Sequence, residues 1–244
     1  MDDACGDGTE TDSDREANAE ERLKRQRDDL RLLNQVMRHD IRNDLQLVEA
    51  YAELLDGHVD EEGEEYLSVI KESAHNAVGL TTSARDLAQV MLRDEADPTS
   101  VPLDRVLAQQ VEEVRSAYPG AVVTVDGSFP ERRVVGDDLL GSVFRNVLRN
   151  AIQHNDETPA EVDVSAVERD GIVEVRIADN GPGIPEDHRE EVFGKGEKGL
   201  DSPGAGIGLY LVQSLVDLYG GDVRIEDNEP KGTVFVLTLP IYED

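Results

Sequence analysis

Asn146 and Asn150 stand four residues apart in a segment whose apolar positions, Leu139, Leu140, Val143, Phe144, Val147, Leu148 and Ile152, follow a helical period. Residues four apart share one helix face, so two neutral amide oxygens lie side by side. Such oxygens suit a Mg²⁺ that keeps its waters and its phosphate ligands; the alternative is an Asn pair on a solvated face. Arg145, Arg149 and His154 are near enough in sequence to reach phosphates, or simply to be surface. Further on, Asp179-Asn180-Gly181-Pro182-Gly183 closes an alternating apolar run. An ionised carboxylate only accepts hydrogen bonds, so Asp179 can take the exocyclic N–H of adenine, and Gly181 and Gly183 let backbone approach a flat base. A tight turn capped by Asp179 is the alternative. Six glycines then fall within one stretch: Gly194, Gly196, Gly199, Gly204, Gly206 and Gly208. The last three precede a helical pattern, and backbone N–H groups at a helix N-terminus bind phosphate. Lys195 and Lys198, two of only five lysines, sit in the same loop. A flexible connector is the plain alternative, yet a loop this long inside a compact domain is usually functional. A Rossmann reading fails because this Gly-x-Gly-x-Gly follows a long loop rather than a first strand.

His39, followed by Asp40, offers different chemistry far upstream. Its helix face is shared with Arg42, Asn43, Gln46, Glu49 and Glu53, so the imidazole is expected to be exposed, as a nucleophile that meets other proteins must be. Asp40 can accept a proton from one ring nitrogen and leave the other nucleophilic. An inconsequential surface histidine is the alternative. The remaining histidines, His58, His75, His154 and His188, lack the spacing of a metal site, and His58 and His75 read as surface.

These groups need two kinds of scaffold. Leu23, Leu30, Leu33 and Met37 follow a coiled-coil spacing that continues through Ile41, Leu45, Val48, Ala52 and Leu55 and stops near Asp56-Gly57. After an acidic loop from Gly57 to Gly63, Leu67, Ile70, Ala74, Ala77, Thr81, Ala84, Ala88 and Met91 repeat at alternating steps of three and four. Two such helices make an antiparallel hairpin. Its apolar stripes are wide for one hairpin, so pairing two copies into a four-helix bundle is the economical solution. Pro98 and Pro102 mark a linker over residues 94–102. Beyond it, helices near Leu103–Val114, Leu139–Ile152 and Ile207–Tyr219 alternate with strands near Val122–Val125, Arg133–Val135, Val162–Ala166, Val173–Ile177, Val223–Ile225 and Val234–Leu239. Asp170-Gly171 is a hairpin turn signal. The fold class is therefore α+β: a helical hairpin followed by an α/β sandwich with its helices on one face of a mixed sheet.

Composition narrows the partners. The chain of 244 residues carries a formal charge of −30, from 54 acids against 24 bases. That surface disfavours nucleic acid, whose phosphates need a basic footprint. Regular apolar periodicity argues against a wholly disordered acidic chain, so the excess reads as a folded protein suited to high-salt cytosol, as in a halophile, where repulsion is screened over ~3 Å at 1 M. Residues 1–20 hold no Leu, Ile, Val or Phe and read as a disordered acidic tail. No apolar run is long enough for a membrane segment or a secretory signal. Cys5 is the only cysteine, so neither a disulfide within the chain nor a cysteine zinc site is expected.

Taken in order, the clusters resemble those of the two-component sensor histidine kinases and, in the second half, their GHKL-type ATP-binding domain. Asn146-Val147-Leu148-Arg149-Asn150-Ala151 is similar to the N box, Asp179 to Ile184 to the G1 box, Val192-Phe193 to the F box, and Gly204 to Leu209 to the G2 box. Gly232-Thr233 fits the family's ending, and Arg38 to Leu45 resembles its H box. The resemblance implies that ATP is the phosphoryl donor, that Asn150 holds Mg²⁺ with Asn146 beside it, and that Asp179 binds adenine. It further implies a nucleotide site completed by His154, Gly181, Gly183, Phe193, Lys195, Lys198, Gly204, Gly206, Gly208, Leu209 and Thr233, with residues 186–208 as the lid. His39 is then the phosphorylated residue, Asp40 its general base, and Asn43 the group that orients water for dephosphorylation of a response regulator. Two departures stand out: Asp44 occupies a position where many members have proline, and Gln153 one where many have a base, so that Lys195, Lys198, Arg145 or Arg149 must compensate.

The expectation is a cytoplasmic, homodimeric protein-histidine kinase acting on the receiver domain of a response regulator, with a sensor or transducer engaged in trans. Its parts are the tail, a phosphotransfer hairpin over residues 21–96 and a catalytic domain over residues 97–244. The rivals are an ATP-binding pseudokinase scaffold and another GHKL ATPase.

Overall fold

Strands of alternating valines cannot bury both faces, and the chain resolves this by laying three amphipathic helices over one side of a sheet. The computed structural model describes residues 41, 43–91, 99–194 and 207–243. The C-terminal part runs β1 (Thr99–Pro102), α3 (Leu103–Ala117), β2 (Val122–Val125), β3 (Arg133–Gly136), α4 (Leu140–Gln153), β4 (Glu161–Arg169), β5 (Ile172–Asp179), α5 (Ile207–Leu218), β6 (Asp222–Asp227) and β7 (Thr233–Pro240). Five strands form one sheet in the order β2-β4-β5-β7-β6, parallel only between β2 and β4. The β4–β5 hairpin turns at Asp170-Gly171, where both residues adopt positive φ, as a two-residue turn of this kind requires.

One sheet face presents Val162, Val164, Val173, Val175, Ile177, Phe235, Leu237 and Leu239 to Leu107 and Val111 of α3, Phe144 and Leu148 of α4, and Leu211 and Leu215 of α5. Full burial of a residue such as Phe144 or Leu211 stabilises by about 1.5–3 kcal/mol. Among the described residues no helix covers the other face. There Glu174 and Arg176 of β5 pair with Arg224 and Glu226 of β6 across the intervening Val236, which they cover completely.

The sequence reading placed a linker over residues 94–102, but Thr99–Pro102 is a strand. It pairs antiparallel with β3, from Thr99↔Gly136 to Pro102↔Arg133, in a separate two-stranded sheet. Prolines at 98 and 102 hid it: proline is tolerated at the ends of an edge strand.

Ahead of this domain lies a helical hairpin. Helix α1 (residues 43–54) ends in a turn where Gly57 adopts φ +69°, and α2 spans Glu61–Met91. The connecting loop is shorter than the expected Gly57–Gly63. Asp60 accepts a hydrogen bond from the Gly63 N–H at 3.0 Å, and Glu61, Glu62 and Glu64 fill the first turn, where negative charge favours the helix dipole. Ala52, Leu67 and Ala74 are buried, whereas Leu47, Tyr51, Leu54, Tyr66, Val69 and Ile70 are exposed.

Candidate functional site

The end of β5 and the entry to β7 meet just beyond α4, and the start of α5 faces that helix at Asn146. Asp179, 6% exposed, is the last residue of β5. Its Oδ1 accepts the backbone N–H groups of Gly181 at 2.9 Å and Thr233 at 3.2 Å, and Oδ2 accepts none from the described residues. Burial raises the pKa of this carboxyl above its ordinary 3.8, and the two backbone donors oppose the rise. A buried carboxylate with one oxygen fixed by backbone and one unengaged is suited to accept an amino N–H from a ligand.

Two residues missed by sequence reading, Asn228 and Arg189, hold this corner together with Gly232. Asn228 donates to the Asp179 carbonyl at 2.8 Å. Gly232 lies so close that a Cβ there would overlap the same carbonyl oxygen, and its φ of +124° is one that side chains rarely adopt. Arg189 donates to the Ile184 carbonyl at 3.1 Å and pairs with Asp227, fastening the loop after Asp179 to β6. Only the polar character of Asn228 and Arg189 was visible beforehand, because Asp179 and Asp227 lie far from them in sequence.

The N-terminal turn of α5 faces α4. A Cβ on Gly208 would sit 2.9 Å from Asn146 Oδ1, so a side chain at Gly208 would crowd the amide oxygen. At the end of α4, Asn155 donates to Asn180 Oδ1 at 2.7 Å and lies against Gly181, joining that helix to the loop. Asp179, Gly181, Gly183 and Thr233 are thus brought together beyond the end of α4, while Asn146 and Gly208 meet along the side of that helix. Phe193 and Leu209 pack against the core, and Asn150 is partly buried one turn after Asn146. His154 caps the end of α4, and desolvation lowers the pKa of its ring. Lys195, Lys198, Gly204 and Gly206 lie outside the described residues, as do His39 and Asp40, while Asn43 is exposed on α1.

Arg145 and Arg149, read as groups near the phosphates, turn instead toward α2. Arg145 Nη2 pairs with the fully buried Asp86 at 2.9 Å, and the Arg149 guanidinium lies over Gly79. Gln153 donates to Asn76 Oδ1 at 2.6 Å and to the Tyr118 hydroxyl at 2.9 Å. Nor is His75 a surface residue: it is half-buried, with Nε2 2.9 Å from the Tyr118 hydroxyl and its ring edge-on to that tyrosine. Burial and Arg149 lower its pKa. Helix α2 is therefore fastened to the catalytic layer, which the heptad pattern does not reveal.

Comparison with known proteins agrees with this geometry. Residues 136–243 match the family model described as "Histidine kinase-, DNA gyrase B-, and HSP90-like ATPase", and residues 29–92 match "His Kinase A (phospho-acceptor) domain". The adaptive-response sensory kinase SasA of Thermosynechococcus vestitus is 30% identical over 225 residues, covering 85% of this chain and 59% of its own length. A solved structure of the mycobacterial sensor histidine kinase MprB is 31% identical, with a TM-score of 0.54, covering 60% of this chain and 99% of that one. The ATP-binding domain of PrrB from Mycobacterium tuberculosis is also 31% identical, with a TM-score of 0.51, covering 61% of this chain and 100% of that one. The chain spans about half the length of the curated relatives it matches. Among the described residues no helix is long and apolar enough to cross a membrane.

Proposed function

This chain belongs to the two-component sensor histidine kinases, and we propose that it transfers the γ-phosphoryl group of ATP to its own His39 and from there to an aspartate on a response-regulator receiver domain. The observation that carries the reading is the pair of contact groups along α4: Asp179 held by the Gly181 and Thr233 backbone near the helix end, and Asn146 facing Gly208 on its side. Asp179 Oδ2 accepts the adenine amino group. The start of α5 presents backbone N–H groups to the phosphates, and Lys195 and Lys198 add charge, so Lys195→Ala and Lys198→Ala each weaken ATP binding in a titration.

The donor chemistry fits Mg²⁺, since Asn146 and Asn150 offer neutral amide oxygens, hard ligands of the kind this ion takes. When bound, the ion would offset negative charge on the phosphates. At His39 one ring nitrogen forms the new P–N bond as the terminal P–O bond of ATP breaks and ADP leaves; Asp40 accepts the proton of the other ring nitrogen. Asn43 then orients water for dephosphorylation of the regulator. The exposed apolar residues of α1 and α2 support a homodimer built through the hairpin, and dependence on ATP supports a cytoplasmic reaction. Boundaries near residues 21–96 and 97–244 separate the two working parts.

The test is incubation with γ-labelled ATP and Mg²⁺ in molar KCl, which screens the acidic surface, beside His39→Gln. Acid-labile, base-stable label on the wild type alone is the expected result. Label that persists in the variant moves the acceptor elsewhere. No label on either, with ATP still bound, turns the chain into a scaffold.

A further inference from the structure

Helix α2 carries two rows of residues on opposite sides. The heptad row Ala74, Ala77, Thr81, Ala84 and Ala88 suits the bundle; Asn76, Gly79, Ser83 and Asp86 repeat at the same spacing but two positions on, about 200° around the helix. That second row meets α4 in antiparallel order. Asn76 accepts from Gln153 at 2.6 Å, Gly79 lies under Arg149, Ser83 Oγ donates to Asn146 Oδ1 at 2.9 Å, and Asp86 accepts from Ser142 at 2.6 Å and Arg145 at 2.9 Å. Asn146 is left 9% exposed, its carboxamide spent on Ser83 and, at 2.7 Å, the Ser142 carbonyl. Its oxygen is enclosed by Ser83 on one side and Gly208 on the other. A Mg²⁺ that keeps several waters cannot reach that oxygen while α2 stays in place. The contact is also flawed: Arg149 Nε is buried with no partner among the described residues. An unmet buried donor costs free energy, which favours release of the contact.

We infer that the row Asn76, Gly79, Ser83 and Asp86 is a latch that holds α4 and withholds Asn146 from Mg²⁺·nucleotide, so that docking of α2 and Mg²⁺·nucleotide binding exclude each other. The inference rests on the proposed function in one respect, the assignment of Asn146 to the metal–nucleotide site. Because the heptad row lies on the opposite side, the latch opens without disturbing a bundle built through α1 and α2. Linkage requires the converse: Mg²⁺·nucleotide must loosen α2 from α4.

The test is titration of the full chain in molar KCl with a fluorescent non-hydrolysable ATP analogue, with Mg²⁺ and with EDTA. Ser83→Ala removes the hydrogen bond to Asn146 and is expected to tighten Mg²⁺-dependent binding about fivefold, the scale of one hydrogen bond. Ser83→Thr keeps the hydroxyl and keeps wild-type affinity. Gly79→Leu drives a side chain into the Arg149 guanidinium and tightens binding further; should it fail to fold, the two Ser83 variants decide alone. In EDTA the wild type and its variants bind alike. Hydrogen exchange on the wild type is expected to rise in residues 76–86 and 142–153 when Mg²⁺·analogue is added. Unchanged Mg²⁺-dependent affinity in Ser83→Ala, or unchanged exchange at saturating ligand, overturns the latch and leaves the kinase reading standing. Failure of every protein to bind the analogue overturns the reading beneath it.

Discussion

Two buried aspartates do opposite work in this molecule. Asp179 is held by backbone N–H groups from Gly181 and Thr233 and meets no cation among the described residues; one of its oxygens accepts nothing there. Asp86 is held by side chains: Arg85 Nε at 2.9 Å on one oxygen, and Ser142 and Arg145 on the other. Backbone donors belong to the sheet and the loop that follows it, so the first carboxylate is fixed in place yet keeps capacity for a ligand. Side-chain donors can swing away, so the second is satisfied only while α2 and α4 are together. The difference is between a site, where burial leaves a group short of partners, and a fastening, where burial is matched by partners on both sides.

That contrast predicts opposite signs. Asp86→Ala strips a buried partner from Arg145, and breaking a buried pair from one side costs about 3–5 kcal/mol. Chemical denaturation is expected to show the loss as a lowered midpoint, or as separation of the hairpin from the catalytic layer; an unchanged midpoint would return Asp86 to the status of a bystander. Asp179→Asn keeps an oxygen for the two backbone donors but sets an NH₂ where Oδ2 was, facing the adenine amino group. A hydrogen bond to a charged group is worth about 1.5–3 kcal/mol, so ATP affinity should fall by that much while GTP affinity falls less. Stability should move the other way. A carboxyl whose pKa is raised on folding favours the folded state below its unfolded pKa and loses that contribution as pH rises through the folded value. At pH 7 Asp179 is therefore a cost, and the Asn variant is expected to unfold later than wild type. An earlier unfolding would mean that the charge itself supports the loop, and the comparison would fail.

The sheet and its helices were legible because their signals are apolar and periodic: Val162, Val164 and Val173, Val175, Ile177 alternate, and Leu103, Leu107, Val111 and Val114 keep a helical step. The loop after Asp179 pointed to a nucleotide only through its place in an ordered series of clusters, since a glycine turn capped by an acid is by itself common. What could not be read is how polar side chains choose partners across the fold. Asn76, Gly79, Ser83 and Asp86 look like a solvated face to any scheme that follows hydrophobicity, and Arg145 and Arg149 look like free cations until Asp86 and Gly79 are brought beneath them. His75 was misjudged for the same reason, because Tyr118 is 43 residues away. Strand β1 was lost to its prolines and is stabilised by pairing with β3, more than thirty residues on.

The smallest effect expected from the comparison is one of pH. Burial raises the Asp179 pKa above 3.8, whereas no cation among the described residues pulls it down. Acidification should therefore protonate Asp179 in the free protein before ordinary surface aspartates, and ATP affinity should fall as pH drops through that raised value. The loss should be smaller than that caused by Asp179→Asn, because a protonated carboxyl can place its hydrogen away from the adenine amino group and still accept from it, which the amide cannot. In Asp179→Asn the corresponding acid-side step is absent. If wild type and variant lose ATP affinity in parallel as the pH falls, the titrating group lies elsewhere, in the phosphates or in the latch, and Asp179 is not the group that reads the base.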